Sequence, residues 1–187
     1  MNLTVPKQFA VVDGLTVLQH TMLAFQRHQL VSAIYVVASP QWSETVRQQA
    51  LEAGISKFAS CLDAGDNSFQ SAKNGISALK DMEDANTVVL IHDAVRPLVS
   101  QDIISRNIEA VAEYGAVCTA LPASDSIRMK NLQNERYQDG FSLKEAITYP
   151  IMNTVSVKRD LVYRAQTPQS FRLPDILKAH EQAVKDG

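Results

Sequence analysis

The sequence predicts an α/β protein built on a mostly parallel sheet packed between helices, and three observations carry that prediction. Short apolar runs alternate with amphipathic stretches of helical length, the rhythm of right-handed βαβ units. One run, Thr87–Ile91, is continuous and rich in β-branched residues, as a strand covered on both faces must be. A polar, irregular section from Ser124 to about Lys158 then interrupts the alternation. It is too long for a plain loop in a compact domain, so a protruding or functional excursion is expected there.

The elements follow in order. Met1–Ala10 lacks a strand of its own, and Pro6 biases Val5 towards an extended backbone. Val11–Gly14 reads as a brief strand and turn, and Leu15, Leu18, Met22, Leu23 and Phe25 recur at helical spacing up to about His28. Ser32–Ser39 predicts a strand, and Ser43–Ala53 a helix stopped by Gly54. Ile55–Leu62 predicts another strand, opening into the polar loop Asp63–Ser68 and a helix over Phe69–Leu79. Such a loop before a helix N-terminus lets a ligand meet backbone N–H groups. After Thr87–Ile91 come a helix over Asp102–Tyr114 and a strand over Ala116–Leu121. Beyond the excursion, Arg159–Ala165 predicts a strand, Thr167–Gln169 a turn, and Leu173–Val184 a last helix with Pro174 in its first turn.

Composition narrows the function classes. The 187 residues suit one domain with a substantial core. A net charge of -2 offers no field for nucleic acid or a membrane surface. No apolar run approaches the roughly 20 residues of a membrane span, and the start carries neither signal nor transit features. Cys61 and Cys118 sit in apolar, strand-like stretches without metal spacing, so both are expected to be buried free thiols in a reducing cytoplasm.

The buried run ends in His92-Asp93, with Arg96-Pro97 following. Spacing leaves two readings of Asp93 open. It is either a carboxylate delivered to the ligand-binding rim of an α/β sheet, or one that caps the next turn beside a surface arginine. Taken alone, the residues suggest an anionic, phosphorylated ligand, with Lys7, Arg96 and Arg159 as cations and Asp93 as a metal-binding carboxylate. His92 is expected to pack or hydrogen-bond at the strand end rather than act as a base. His20, His28 and His180 are expected at the surface or its boundary, and Tyr35 and Trp42 in packing.

The ordered set PKQF (Pro6–Phe9), AGDNSFQSAKNG (Ala64–Gly75), HDAVRP (His92–Pro97), ALPASDSI (Ala120–Ile127) and AQTPQSF (Ala165–Phe171) resembles the CTP-dependent cytidylyltransferases of polyol phosphates. That family joins the enzymes acting on 2-C-methyl-D-erythritol 4-phosphate and on ribitol 5-phosphate. The resemblance runs through nearly the whole chain and implies a three-layer, Rossmann-like nucleotidyltransferase fold over residues 1–187. It further implies that a polyol phosphate attacks the α-phosphorus of CTP and releases pyrophosphate. By resemblance, Lys7 and Arg159 are catalytic, Gly65, Asp66 and Ser71 read the cytidine, and Asp93 holds Mg2+. Arg96, Ser126 and Arg159 grip the polyol phosphate. Residues 128–158 match a dimerisation arm that would carry Ser126 and Arg159 towards a partner chain. Thr167 matches a threonine near the base of that arm. Partners are then CTP, a polyol phosphate and a second copy, without nucleic acid or membrane. The favoured acceptor is 2-C-methyl-D-erythritol 4-phosphate, with ribitol 5-phosphate as the alternative.

Three departures accompany the resemblance. The family opens with a strand and a glycine-rich triphosphate loop whose final methionine would match Met1, and its last substrate-binding strand would follow Gly187. Both are expected outside this sequence. Ser68 stands where the family usually has arginine, and Ala64 where it has glycine. Ser68 and the glycine-rich segment motivate a second class, a nucleotide-binding homologue with impaired catalysis, and a more general third is a sugar-nucleotide transferase using another base.

Overall fold

Residues 5–84, 86–130 and 154–186 are described by a computed structural model. They form two compact units: Met1–Thr119 with Thr167–Gly187, and Ala120–Gln166.

The larger unit begins with a 3-10 turn, Lys7–Phe9, and a small antiparallel hairpin of β1 (Val11–Val12) and β2 (Leu15–Thr16). Asp13 and Gly14 join these strands with positive φ at both positions, 50° and 80°, as the tightest hairpin turns require. Leu15 therefore belongs to a strand, a correction to the helix predicted from that residue. Helix α1 (Val17–Gln26) starts after a capping box: Thr16 Oγ1 accepts from Gln19 N, and Gln19 Oε1 accepts from Thr16 N.

Strands β3 (Ile34–Ala38) and β4 (Phe58–Asp63) are parallel neighbours joined through α2 (Ser43–Glu52), the βαβ unit that the alternation predicts. Phe9, Leu18, Met22, Val36, Val46 and Ala50 form the core between these elements. Helix α3 (Ser68–Leu79) leads to β5 (Val88–Ile91), α4 (Gln101–Tyr114) and β6 (Ala116–Pro122). The chain closes with β9 (Tyr163–Arg172) and α5 (Leu173–Asp186). Ile76 and Leu79 of α3 pack on Leu173 and Ile176 of α5, with Val89, Ile91 and Phe171 against them.

The second sheet has the order β5–β9–β6. β5 and β9 run antiparallel, with Val88 opposite Arg172 and Ile91 opposite Gln169. The mostly parallel expectation thus holds for β3–β4 and fails for β5–β9. The predicted turn at Thr167–Gln169 is also overturned. Thr167, the cis-linked Pro168 and Gln169 lie inside a ten-residue strand, and Pro168 is fully buried. Pairing with β5 and burial outweigh the local turn preference of a Thr-Pro pair. Arg159–Leu161 is a 3-10 turn, so the strand predicted from Arg159 begins only at Tyr163.

A buried polar chain ties this sheet to α4. Ser170 Oγ donates to Asn107 Oδ1 at 3.0 Å, and Asn107 Nδ2 donates to Ile103 O and Thr119 Oγ1 at 2.9 Å each. Every partner is a hydrogen-bonding group, as burial demands. Two further expectations change. His28 is buried, its Nε2 2.9 Å from Ser105 Oγ. Cys118 is exposed, because β6 ends the order of its sheet, whereas Cys61 is buried.

In the smaller unit β7 (Ile127–Lys130) and β8 (Thr154–Val157) form an antiparallel pair, with Arg128 Nη1 donating to Ser156 Oγ at 3.1 Å. The arm expected over 128–158 is described only at this base, and residues 131–153 lie outside the described residues. Among the described residues no helix is long and apolar enough to cross a membrane.

Candidate active site

The ladder of β3 and β4 runs one step past its strands, where Ala64 N donates to Ala38 O at 2.9 Å. Beside these ends lies a cavity of about 220 Å3 lined by Gln8, Phe9, Ala38, Ser39, Ala64 and Ala94. The opening therefore gathers the Lys7–Phe9 turn, the ends of β3 and β4, and the turn after β5. This is the carboxyl edge at which α/β sheets bind ligands.

The loop from Ala64 into α3 is shaped by short contacts. Asn67 Oδ1 accepts from Gln70 N at 2.9 Å and caps the helix. Gly65 N donates to Ser71 Oγ at 3.1 Å, and the Ser71 hydroxyl faces Gly65 O at 3.3 Å and Asn67 O at 2.8 Å. Gly65 is required here, since a Cβ on it would fall against the Cβ of Gln70 and 2.8 Å from its carbonyl carbon. Two of the three residues expected to read a base, Gly65 and Ser71, are thus locked together, while Asp66 lies exposed between them. Ser68 is exposed at the first position of α3.

The turn after β5 holds the other charges. Arg96 Nε meets Asp93 Oδ2 at 2.7 Å, both side chains about half exposed, and Arg96 N donates to Asp93 O at 3.1 Å. The carboxylate and the guanidinium, read from sequence as serving different ligands, are partnered with each other. His92 Nε2 donates to Arg96 O at 2.9 Å, and its ring lies edge-on to Phe25 with centroids 5.0 Å apart. Burial lowers its pKa from 6.5 despite the Arg96 carbonyl and the Asp93 charge, which act the other way. A neutral ring that fastens its own turn agrees with the packing role read from sequence.

Lys7 is exposed on a turn anchored by Phe9, which is buried with its ring centroid 4.9 Å from that of Trp42. In the smaller unit Ser126 and Arg159 are both exposed at the base of the β7–β8 pair. Arg159 Nη1 donates to Ser124 O at 2.9 Å, so the two segments that carry Ser126 and Arg159 meet within this unit.

Of two residues that contact the β5 turn from far along the chain, Thr21 escapes the sequence reading and Thr167 enters it only by resemblance. Thr21 Oγ1 lies 2.8 Å from Ala94 O, and Asp93 N donates to Thr167 Oγ1 at 3.5 Å, a long contact. Their partners are 73 and 74 residues away, beyond any local signal. For Thr167, the structure supplies a contact where the sequence left only a position.

Comparison with known proteins gives the pattern a context. The family model described as 2-C-methyl-D-erythritol 4-phosphate cytidylyltransferase matches residues 1–187. An enzyme of that name from Acidobacterium capsulatum is 36% identical over 97% of this chain and 70% of its own length. A ribitol-5-phosphate cytidylyltransferase from Vibrio parahaemolyticus is 33% identical over 99% of this chain and 71% of its own. Among solved structures, the 2-C-methyl-D-erythritol 4-phosphate cytidylyltransferase of Francisella tularensis superposes with a TM-score of 0.72 at 25% identity, over 97% of this chain and 73% of that one.

Proposed function

From the chain's membership of the 2-C-methyl-D-erythritol 4-phosphate cytidylyltransferase family, we infer that it transfers the cytidylyl group of CTP to a polyol phosphate and releases pyrophosphate. It is an enzyme of the nucleotidyltransferase class, and its favoured acceptor is 2-C-methyl-D-erythritol 4-phosphate. Relatives named for ribitol 5-phosphate keep that acceptor as the alternative. The observation that carries the reading is the opening at the ends of β3, β4 and β5, where an exposed cationic turn, a glycine loop before a helix and a charged turn converge.

In the proposed reaction an acceptor phosphate oxygen forms a bond to the α-phosphorus of CTP as the bond to pyrophosphate breaks. No covalent enzyme intermediate is needed, so the protein contributes positioning and charge neutralisation. Lys7 meets the charge developing on the α-phosphate. Gly65, Asp66 and Ser71 present backbone and side-chain groups to the cytosine edge. Arg96 takes the acceptor phosphate. Ser126 and Arg159 do the same for a partner chain, in a homodimer built on residues 128–158.

Mg2+ belongs to the same reading, with Asp93 as its protein ligand. No group of three or more acidic, histidine or cysteine side chains gathers among the described residues. A Mg2+ held by one carboxylate, substrate phosphates and water needs no such group, so the half-exposed Asp93 carboxylate fits. When bound there, the ion would neutralise phosphate charge. The Asp93–Arg96 pair does not oppose this, because an exposed ion pair is worth only about 0–1 kcal/mol and exchanges readily for phosphate and metal.

The test is pyrophosphate release from CTP, with each polyol phosphate supplied in turn. Release that depends on the acceptor, with the higher kcat/KM for 2-C-methyl-D-erythritol 4-phosphate, is expected. A preference for ribitol 5-phosphate would exchange the acceptors, and CTP binding without release on either would reduce the protein to a nucleotide-binding homologue.

A further inference from the structure

Asp93 and Arg96 stand at the first and last positions of a β-turn. Arg96 N donates to Asp93 O at 3.1 Å, with Ala94 and Val95 between them. The residues proposed to hold Mg2+ and the acceptor phosphate therefore share one four-residue unit, and whatever fixes that unit fixes both. Its two central residues carry small or apolar side chains, so a polar neighbour can hold the middle of the turn only by its backbone. The carbonyl of the central peptide group is Ala94 O.

Helix α1 takes that carbonyl. Thr21 is buried, and its Oγ1 stands 2.8 Å from Ala94 O and 2.9 Å from Val17 O. A hydroxyl has one proton for these two acceptors. Val17 O, one helical turn back, also receives the backbone N–H of Thr21 in the regular pattern of an α-helix. The hydroxyl proton is redundant there and serves Ala94 O. One turn further along the same face, Phe25 meets the ring of His92, and His92 Nε2 donates to Arg96 O. Thr21 and Phe25 thus hold the middle and the end of the turn from a single helix face. The helix is itself anchored, because Gln19 of its capping box donates through Nε2 to Gln49 O of α2 at 3.0 Å.

We propose that the Thr21 hydroxyl is the positioning group for the turn that carries Asp93 and Arg96, acting through Ala94 O and touching no ligand. The inference rests on the proposed cytidylyl transfer, in which those two residues meet metal and acceptor. Such a group matters there, since displacing reacting groups by about 1 Å can cost about 100-fold in rate. Threonine combines two properties that its nearest substitutes divide. Valine keeps the shape and leaves the Ala94 carbonyl without this donor. Serine keeps the donor and loses the methyl group that restricts its rotamer.

The variants Thr21→Val and Thr21→Ser therefore separate the hydroxyl from the packing. Thr21→Val is expected to lower kcat/KM about tenfold. KM for the polyol phosphate and the Mg2+ concentration at half-maximal rate should rise with it, while KM for CTP at saturating Mg2+ stays within about twofold. Thr21→Ser should recover kcat/KM to within about threefold of the parent, even where its Tm is the lower of the two variants. Amide exchange without substrates reads the turn itself: the Arg96 N–H should exchange about tenfold faster in Thr21→Val than in the parent or in Thr21→Ser. Serine as impaired as valine, with losses that follow Tm, would overturn the proposal and leave Thr21 a packing residue. Equal exchange of Arg96 in all three proteins would overturn it as well. A parent that binds CTP and releases no pyrophosphate would end the activity reading instead, and exchange alone would then decide whether Thr21 holds the turn.

Discussion

At the scale of single residues the decisive pair is Asp93 and Arg96, held 2.7 Å apart on a half-exposed turn. Since such a pair adds little to stability, its charges are available for ligands, and their removal should separate activity from folding. Asp93→Asn is expected to lower kcat/KM by at least about 100-fold, as loss of one electrostatic partner of a reacting phosphate does, while Tm stays within about 2 °C of the parent. Arg96→Lys retains the charge and loses the planar fork, so KM for the polyol phosphate should rise about tenfold with KM for CTP unchanged. An equal rise for CTP would instead assign Arg96 to the nucleotide. A fall in Tm as large as the fall in activity would make the pair a structural clamp.

The loop entering α3 extends this reasoning to an element. A methyl group on Gly65 cannot coexist with the present position of Gln70, so the first turn of α3 must shift. Gly65→Ala should cost about 1–3 kcal/mol and weaken CTP binding together with it, measured by thermal unfolding and calorimetric titration. Unchanged stability and affinity in the Gly65→Ala variant would show that the loop tolerates the shift and does not hold the base. This loop was legible in the sequence because its signals are local: a small polar run leading into a helix, while its Asn67 cap came only with the structure. The helices and the β3–α2–β4 unit were legible on the same grounds, with bounds displaced by a few residues at Leu15 and Ile55. What stayed hidden depends on long-range pairing. The antiparallel meeting of β5 with β9 lies about eighty residues apart in sequence, and it turned a predicted Thr-Pro turn into the middle of a strand. The exposure of Cys118 and the burial of His28 likewise follow from sheet order and from packing against Ser105. Motif resemblance supplied the site residues, but neither reading of Asp93 that spacing left open named its direct pairing with Arg96.

For the molecule as a whole, the histidines set how stability responds to acid. Burial lowers the pKa of His92, and burial followed by the Lys73 charge lowers that of His180, whose ring packs 5.0 Å from Phe69. In both cases the folded chain favours the neutral ring, so as pH falls through about 6.5 the unfolded chain takes up protons first. Their contribution is complete above that pH and is lost progressively below it, as pH approaches the lowered folded values. Tyr35 acts at the opposite end. Its hydrogen bond to Glu83, 2.7 Å long, with burial and the Glu83 charge, raises its pKa to about 12, so the protonated phenol is favoured and its share is lost only in strong alkali. Unfolding monitored by circular dichroism should therefore give a flat Tm between about pH 7 and 9, and a decline between about pH 6.5 and 5.5 before the carboxylates titrate. The double variant His92→Gln, His180→Gln removes both rings and should flatten that decline even though its Tm near neutral pH is lower, since Gln cannot reproduce the Phe25 and Phe69 contacts. An acid limb equally steep in the variant would move the sensitivity to other groups and leave His92 a packing residue whose titration the fold does not feel.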